Sequence, residues 1–216
     1  MDNFKYPTAL NKKNRKRYRL FTSKFNERFE WEVVNDFKNI SNIIFRLYSN
    51  VFEKASNKFE ILNSAFFSNV NHFLKDKSQI LIAKDRKNGE IRVVELLLRD
   101  ENRLYPLYLG VDYKDDDAAK ILYLNTIFKT VEIAEETGSK IIELGQTSYY
   151  PKVMSGAFVE NIYYGFWSDK TLYKYFIKHL FGKICTPPQI HHHVYSDVAQ
   201  SHAYRLLKDN NINPLN

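Results

Sequence analysis

The chain has 216 residues, a formal net charge of +7 and a hydrophobic fraction of 44%. This composition is typical of one globular domain, and it excludes a wholly disordered chain or two full domains. The single cysteine excludes an internal disulfide and fits a reducing cytoplasm, and the sequence shows neither a secretory signal nor an apolar run of bilayer-spanning length. We therefore expect a soluble cytoplasmic protein that contacts a membrane at most peripherally.

Much of the positive charge lies near the start of the chain, within residues 12–19. Residues 1–28 are predicted to form a basic arm or helix. Four apolar residues of this segment are expected on one side: Tyr18, Leu20, Phe21 and Phe25. A basic segment favours anionic partners such as nucleic acid, phospholipid headgroups or a phosphorylated substrate. A solvated helix face explains the same charges equally well.

A strand, two helices and three further strands are predicted next. Apolar and acidic residues alternate over residues 29–35, which indicates a half-buried strand. Helical spacing predicts one helix from Phe37 to Val51 and a second with a stripe from Leu62 to Phe73. Three strand candidates follow, joined by short polar turns that favour an antiparallel meander. They span residues 79–84, 90–98 and 103–111.

The second half of the chain is predicted to alternate helices and strands. Three carboxylates at Asp115–Asp117 mark the start of a helix that ends at Gly138. The further predicted elements are a buried strand over 140–146, a short helix, a strand over 160–167, an amphipathic helix over 171–184 and a final helix over 200–210. The fold class is therefore α/β (mixed α+β), with helices around a central, mostly antiparallel mixed sheet. We expect one domain over residues 29–170 and a helical extension over 171–216 packed on it.

Two sequence segments make the fold prediction more specific: LYLGVDY and KILYLNTIFKTVEIAEETGSKIIELGQTSYYPKVMSGA. Together with the element order, they resemble GNAT-superfamily acyltransferases, in particular the FemAB-like and peptidoglycan-biosynthesis acetyltransferase group. The residues that carry the resemblance are Gly110, Asp112, Tyr123, Gly145, Gln146, Thr147, Tyr150, Lys152 and Gly156. The resemblance implies a GNAT-like fold and transfer of an acyl or aminoacyl group to an amine or hydroxyl. It also implies a small-molecule or envelope-polymer acceptor.

The acyl donor is the point at which the sequence departs from the resembled family. Enzymes of this superfamily that use acetyl-CoA carry a glycine-containing loop after the fourth strand, whose N–H groups hold the pyrophosphate at a helix N-terminus. The corresponding string here, VDYKDDDAAK, has no glycine and three consecutive carboxylates, which would repel a pyrophosphate. Acyl-CoA is therefore one donor among three, beside a carrier protein and an aminoacyl-tRNA.

Glu95 is the first candidate for a catalytic base. It lies in an apolar strand with Val93 and Leu97 on its own face, where loss of water would raise its pKa towards a useful range. Two structural alternatives explain the same residue: an edge position open to water, or an ion pair with Arg92 or Arg99.

The other candidates lie at the ends of two predicted strands. Asp112 could act as a base, orient the acceptor or cap the following helix, and Tyr113 beside it is a candidate for substrate binding. The remaining binding candidates are Tyr123 on the helix and Gln146, Thr147, Tyr149 and Lys152 after the buried strand, where open sheets bind ligands. Tyr150 is a candidate acid for the leaving group. The alternative to a functional role is structural: Tyr149 and Tyr150 would pack against the domain, and Lys152 would be solvated.

Three further features carry other expectations. The adjacent histidines His191–His193 have no ligand partners at metal-binding spacing, so we expect no metal site. Cys185 lacks the arrangement of a nucleophile. The helix over 171–184 is expected to dock on the domain's own sheet, with an anionic membrane surface as the alternative. A catalytically inert GNAT-like module that binds an anionic polymer, tRNA or a membrane stays open as the alternative function.

Overall fold

Most of the predicted elements form, and they do so close to the predicted bounds. The computed structural model describes residues 5–55, 58, 60–146, 148–160, 165, 167–181, 194–210 and 212. The strands are β1 (Phe29–Val34), β2 (Ser78–Asp85), β3 (Ile91–Asp100), β4 (Arg103–Val111) and β5 (Ile141–Ile142). The helices are α1 (Tyr6–Ala9), α2 (Lys12–Arg28), α3 (Ser41–Lys54), α4 (Ser64–Leu74), α5 (Asp116–Thr137), α6 (Tyr149–Met154), α7 (Thr171–Phe176), which continues as a π-helical turn over Ile177–Phe181, and α8 (Asp197–Asp209).

The strands form one sheet in the order β1-β2-β3-β4-β5. The first three pairings are antiparallel, and β4 pairs with β5 in parallel. This mixed, mostly antiparallel sheet with flanking helices confirms the predicted fold class. Up to α6, the order of elements is also the one that the resemblance to GNAT-like proteins implies.

The strand predicted over 140–146 is much shorter than expected. Only Ile141 and Ile142 form β5, opposite Arg103 and Leu104. The chain then turns at Gly145, whose φ is +68°. The carbonyl oxygens of residues 144–146 all accept hydrogen bonds from one lysine side chain of α6, so this backbone turns towards α6 instead of continuing beside β4.

Helices cover both faces of the sheet. Val94 and Leu96 of β3 belong to the core under α3 and α4, whereas Val93 and Leu97 lie in the clusters under α5. At Gly110 of β4, an added Cβ would lie 2.6 Å from backbone atoms of α3. Gly110 therefore permits the close approach of α3 to the sheet.

The long helix α5 begins and ends as predicted. The side chain of Asp115 accepts a hydrogen bond from the Ala118 N–H, and Asp116 and Asp117 lie in the first turn. Gly138 ends the helix with a φ of +72°. Negative charge near a helix N-terminus is favourable, which explains why these three acids occupy the connection after β4.

The basic N-terminal segment is a helix of 17 residues, α2, rather than an arm. Phe25 is buried, but Leu20 is 52% exposed, so the expectation that Leu20 shares the packed side is wrong. Before α2, Leu10 bridges to Tyr195 near the other end of the chain. Tyr6 donates its hydroxyl to the Ser155 carbonyl oxygen at 2.7 Å.

The C-terminal third departs most from the expectations. Helix α7 does not dock on the sheet, because the residues of Thr171–Phe176 are all exposed. Residues 182–184 of that predicted helix, most of the strand predicted over 160–167, Cys185 and His191–His193 lie outside the described residues. The final helix begins at Asp197, earlier than predicted. Within the described ranges, no helix is long and apolar enough to cross a membrane.

Candidate active site

The candidate site lies where β4 and β5 separate. Their pairing ends at Leu104 and Ile142, and one backbone bond from the Glu143 N–H to Leu104 O follows. Beyond this point, β4 still pairs with β3, but in the described part of the chain no strand runs along its other edge. Ligands of open sheets bind where neighbouring strands diverge, so this opening is the place to look for chemistry.

Glu95 lies in the middle of β3 on the face that α5 covers. Its Cα pairs with those of Leu81 in β2 and Leu109 in β4, and the residue is 7% exposed. The predicted face is confirmed, because Val93 and Leu97 pack against the same helix. The alternative of an edge position open to water is wrong, since β3 is paired on both sides.

The hydroxyl of Thr130 on α5 is the hydrogen-bond partner of Glu95. Its Oγ1 lies 2.6 Å from Glu95 Oε2 and 2.9 Å from the carbonyl oxygen of Thr126. A hydroxyl carries one proton, so it can donate to only one of these two acceptors. When Glu95 is ionised, the Thr130 hydroxyl donates its proton to the carboxylate. When Glu95 is protonated, its carboxyl group donates to Thr130 Oγ1, and the Thr130 hydroxyl can then donate to the Thr126 carbonyl oxygen. The hydrogen bonds here therefore depend on the protonation state of Glu95.

Burial raises the pKa of Glu95 to about 7. The cause is the loss of water around the charged form, which the Thr130 hydrogen bond and the positive charge of Lys152 offset only in part. A carboxyl group with a pKa near neutrality can both accept and release a proton at physiological pH. This is the property required of a general base.

Lys152 of α6 approaches the same region from the other side of the opening. Its Nζ donates to the carbonyl oxygens of Leu144 at 2.6 Å, Gln146 at 3.0 Å and Gly145 at 3.2 Å. Burial lowers the pKa of Lys152 to about 8, against the opposite effect of Glu95. Lys152 therefore fixes the backbone after β5 and brings a positive charge towards Glu95.

Tyr123 is the third predicted residue that the fold brings to this place. It lies on α5, burial raises its pKa, and its side chain hydrogen-bonds that of Ser148. Glu95 and Tyr113 act on the Tyr123 pKa in the same direction through their charge. We call Glu95, Tyr123, Thr130, Ser148 and Lys152 the Glu95 cluster.

Asp112 is held in a different group of charges. It is buried, and its Oδ2 lies 3.3 Å from Nε of Arg92. Arg92 also lies 3.9 Å from Asp85, so Arg92 pairs with aspartates and not with Glu95. The helix-cap interpretation of Asp112 is wrong, because Asp115 caps α5. A catalytic role for Asp112 stays a prediction.

A cavity of about 500 Å³ adjoins the Glu95 cluster. It lies between α5, the β5 segment, α6 and the C-terminal residues, and most of its lining is apolar. Predicted residues in its wall are Gln146, Tyr149 and Lys152, and further residues include Tyr6, Ile127, Phe158 and Tyr195. The ring of Tyr195 covers Gly156, where an added Cβ would lie 2.4 Å from the hydroxyl oxygen. A side chain at Gly156 would therefore displace this wall.

The other predicted residues are not members of the cluster, and one of them lies outside the described residues. Tyr150 is 62% exposed, although it follows Tyr149 in the same helix. The ring of Tyr113 carries the Lys54 ammonium 3.8 Å from its centroid. Thr147 lies outside the described residues. The roles assigned to these residues stay predictions.

Two members of the cluster escaped the sequence reasoning. Thr130 lies seven residues after Tyr123 on α5, so both share a helix face. A polar residue on this buried face could have indicated a functional role from the sequence. Ser148 has a left-handed backbone, with a φ of +49°, directly before α6. No sequence pattern distinguishes such a serine from an ordinary loop residue. Across the described ranges, no cluster of His, Cys, Asp or Glu is placed to hold a metal ion.

Comparisons with known proteins add little to this geometry. No protein-family model matches the sequence, and no curated protein matches it. Among solved structures, an aminoglycoside acetyltransferase from an uncultured soil metagenomic sample, in complex with sisomicin, is 14% identical with a TM-score of 0.47, over 68% of this chain and 99% of that one. Glucosamine-6-phosphate N-acetyltransferase from Arabidopsis thaliana is 13% identical with a TM-score of 0.44, over 65% and 99%. L-PGS from Bacillus licheniformis is 13% identical with a TM-score of 0.44, over 70% and 49%. These TM-scores are low, and the likenesses carry no argument about what this chain does.

Proposed function

We propose that the chain is an acyltransferase that moves an acyl or aminoacyl group from a donor to an amine or hydroxyl acceptor. The observation that carries the proposal is the Glu95 cluster: a buried carboxyl group on β3 whose pKa is about 7, together with a lysine that acts on its charge and lines a cavity next to the parallel pair β4 and β5. The order of elements and the strings from LYLGVDY to MSGA support the same reaction class.

The proposed step is direct transfer. The acceptor's nitrogen or oxygen attacks the donor carbonyl, and the acceptor's proton passes to Glu95. The bond to the leaving group then breaks with its electron pair on the leaving group, which takes up a proton from solvent, and Glu95 releases its own proton to solvent. Lys152 lines the cavity and its charge acts on Glu95, which is itself no part of the cavity wall, so we propose that one bridging water carries the proton to the carboxylate. Lys152 stabilises the ionised form of Glu95 through its charge. Gln146 and Tyr149 of the cavity wall would orient the acceptor.

We propose a donor that does not rely on a pyrophosphate at the N-terminus of α5. Asp115 already caps that N-terminus, and two more acids fill its first turn. Arg28 neutralises part of this charge through its ion pair with Asp115 at 2.7 Å. We therefore propose a carrier-bound acyl group or an aminoacyl-tRNA, bound elsewhere on this basic protein, rather than acyl-CoA in the usual pose.

The experiment offers the protein three labelled donors (acetyl-CoA, an acyl-carrier protein and an aminoacyl-tRNA) with a library of small amines and envelope fragments. Products are detected by mass spectrometry. Glu95→Gln should lower the transfer rate at least about hundredfold, which is the usual contribution of a general base. Glu136→Gln, an exposed acid on α5, is the matched control and should transfer at the wild-type rate. Equal rates for both variants would exclude Glu95 as the base, and turnover with acetyl-CoA alone would refute the donor assignment.

A binding module without catalysis is the second candidate function, and the exposed face of α2 favours it. Lys12, Lys13, Lys16 and Arg19 are exposed, and none forms an ion pair with a described residue. Such a module should bind RNA or an anionic polymer with a steep salt dependence. Replacing these four residues by glutamate should abolish binding, and no donor should yield a product.

A further inference from the structure

The segment that contains α7 exposes an unusual amount of apolar side chain. Six large residues are exposed over a short stretch: Trp167 (85%), Leu172 (76%), Tyr173 (55%), Tyr175 (62%), Phe176 (42%) and Leu180 (44%). We call these residues the aromatic ridge. Helix α7 has no buried residue, although soluble helices normally bury their apolar stripe. A contiguous apolar surface of this kind marks a contact site.

Apolar and basic residues occupy different sides of this helix. Leu172, Phe176 and Leu180 recur every four residues, so they follow one side of the helix and its π-helical continuation. Lys174 and Lys178 are also four residues apart and lie on another side. The side that would pack on a protein core therefore faces solvent, and a row of ammonium groups lies on the opposite side of the helix.

The chemistry of the ridge selects its partner. Trp and Tyr combine an apolar ring with a polar atom, which suits the boundary between lipid headgroups and acyl chains. Lysines on the polar side of such a helix attract anionic headgroups, and the segment from Trp167 to Lys183 holds a single acid, Asp169. A second copy of the chain would bring the same lysines together, which opposes self-association.

We propose that the aromatic ridge binds the surface of an anionic phospholipid bilayer, with the helix lying in the plane of the headgroups. The apolar side chains enter the headgroup region, and Lys170, Lys174 and Lys178 contact phosphate groups. This inference does not depend on acyl transfer, because none of these residues belongs to the Glu95 cluster. A protein that fails every transfer assay would still bind vesicles.

The test uses the full chain and two vesicle types, phosphatidylcholine alone and phosphatidylcholine with phosphatidylglycerol. The protein should sediment with the anionic vesicles, and its tryptophan emission should shift to shorter wavelength. Trp167→Phe should remove that shift, because the other tryptophan, Trp31, stacks on Phe25 at 4.5 Å. Lys174→Glu with Lys178→Glu should weaken binding at least about tenfold, and added salt should do the same.

A matched pair of variants distinguishes binding through the aromatic ridge from nonspecific hydrophobic binding to vesicles. Leu172→Asp with Phe176→Asp should abolish vesicle binding, while Val198→Asp, at an equally exposed position of α8, should not change it. Thermal unfolding of each variant shows that it is folded. Equal binding to neutral vesicles, or unchanged binding by the Leu172/Phe176 variant, would overturn the proposal. If the wild type is a dimer without vesicles and the Leu172/Phe176 variant is a monomer, the ridge binds a second copy of the chain instead.

Discussion

Glu95 on β3 and Asp112 directly after β4 are both buried acids, 7% and 5% exposed, but different groups compensate their charge. Asp112 lies 3.3 Å from the guanidinium of Arg92, a permanently charged partner. Glu95 has a neutral hydroxyl at 2.6 Å and a lysine ammonium that is already bonded to three carbonyl oxygens. The guanidinium compensates the negative charge of Asp112 directly, whereas the partners of Glu95 offset its loss of water only in part, so burial raises the pKa of Glu95 to about 7.

The sheet therefore contains two kinds of buried acid: one in an ion pair that links strands, and one that can exchange a proton near neutral pH. The Arg92 group links β2, β3 and the end of β4 through Asp85 and Asp112, so it holds secondary structure together. Glu95 lies one strand away from the edge of β4 beyond β5, along which no strand of the described residues runs. The following predictions test this contrast, from the largest expected effect to the smallest.

Removal of the arginine should cause the largest loss of stability. Arg92→Met leaves Asp85 and Asp112 buried without their shared cation, which should lower the free energy of unfolding by about 3–5 kcal/mol. The measurement is urea unfolding at neutral pH. Lys114→Met is the control, because Lys114 also approaches Asp112 but its side chain is 65% exposed. That control should cost no more than about 1 kcal/mol, and equal losses would contradict the assignment of Arg92 as the structural partner.

Glu95 should make the protein less stable as the pH rises. Its pKa rises from 4.5, its ordinary value, to about 7 in the folded state, so the folded protein binds more protons between these values. Its contribution to stability is therefore complete below about pH 4.5 and is lost as the pH passes 7, by about 3 kcal/mol in total.

Comparison of the wild type with Glu95→Gln isolates this contribution. The glutamine variant lacks the titrating group, so its unfolding free energy should fall less between pH 5 and pH 8 than that of the wild type. Urea unfolding at several pH values measures the difference. Parallel curves for the two proteins would show that Glu95 titrates at its ordinary pKa.

The face of Glu95 and the sheet around it were predictable, because alternation along β3 and the caps of α5 are local properties of the sequence. The short β5 was not, since its end depends on Lys152, which reaches back to carbonyl oxygens of residues 144–146. Thr130 was missed for a related reason: its partner is distant in sequence. The prediction that α7 docks on the sheet was wrong, because an apolar stripe predicts that a helix will be buried but does not identify the surface that buries it.

Lys152 connects the two sides of the opening, so its removal should have an intermediate effect. Lys152→Met leaves three carbonyl oxygens without their donor and should lower the unfolding free energy by about 2 kcal/mol. Amide exchange should accelerate over residues 144–146, and the pKa of Glu95 should rise because a nearby positive charge is lost. Lys120→Met, on the exposed surface of α5, is the control and should change neither. Unchanged exchange in the Lys152 variant would contradict its role in fixing this backbone.

Thr130 should produce the smallest effect, and the most specific one. Thr130→Val preserves shape but removes the hydroxyl that stabilises the ionised form of Glu95, so the pKa of Glu95 should rise by about one unit. Carbon NMR of the carboxyl group measures this shift without any substrate. Thr137→Val removes a hydroxyl that bonds a backbone carbonyl farther along the same helix, and it should leave the Glu95 titration unchanged. A lower pKa in the Thr130 variant would mean that the hydroxyl serves the protonated carboxyl, and that Glu95 acts as a proton donor in its resting state.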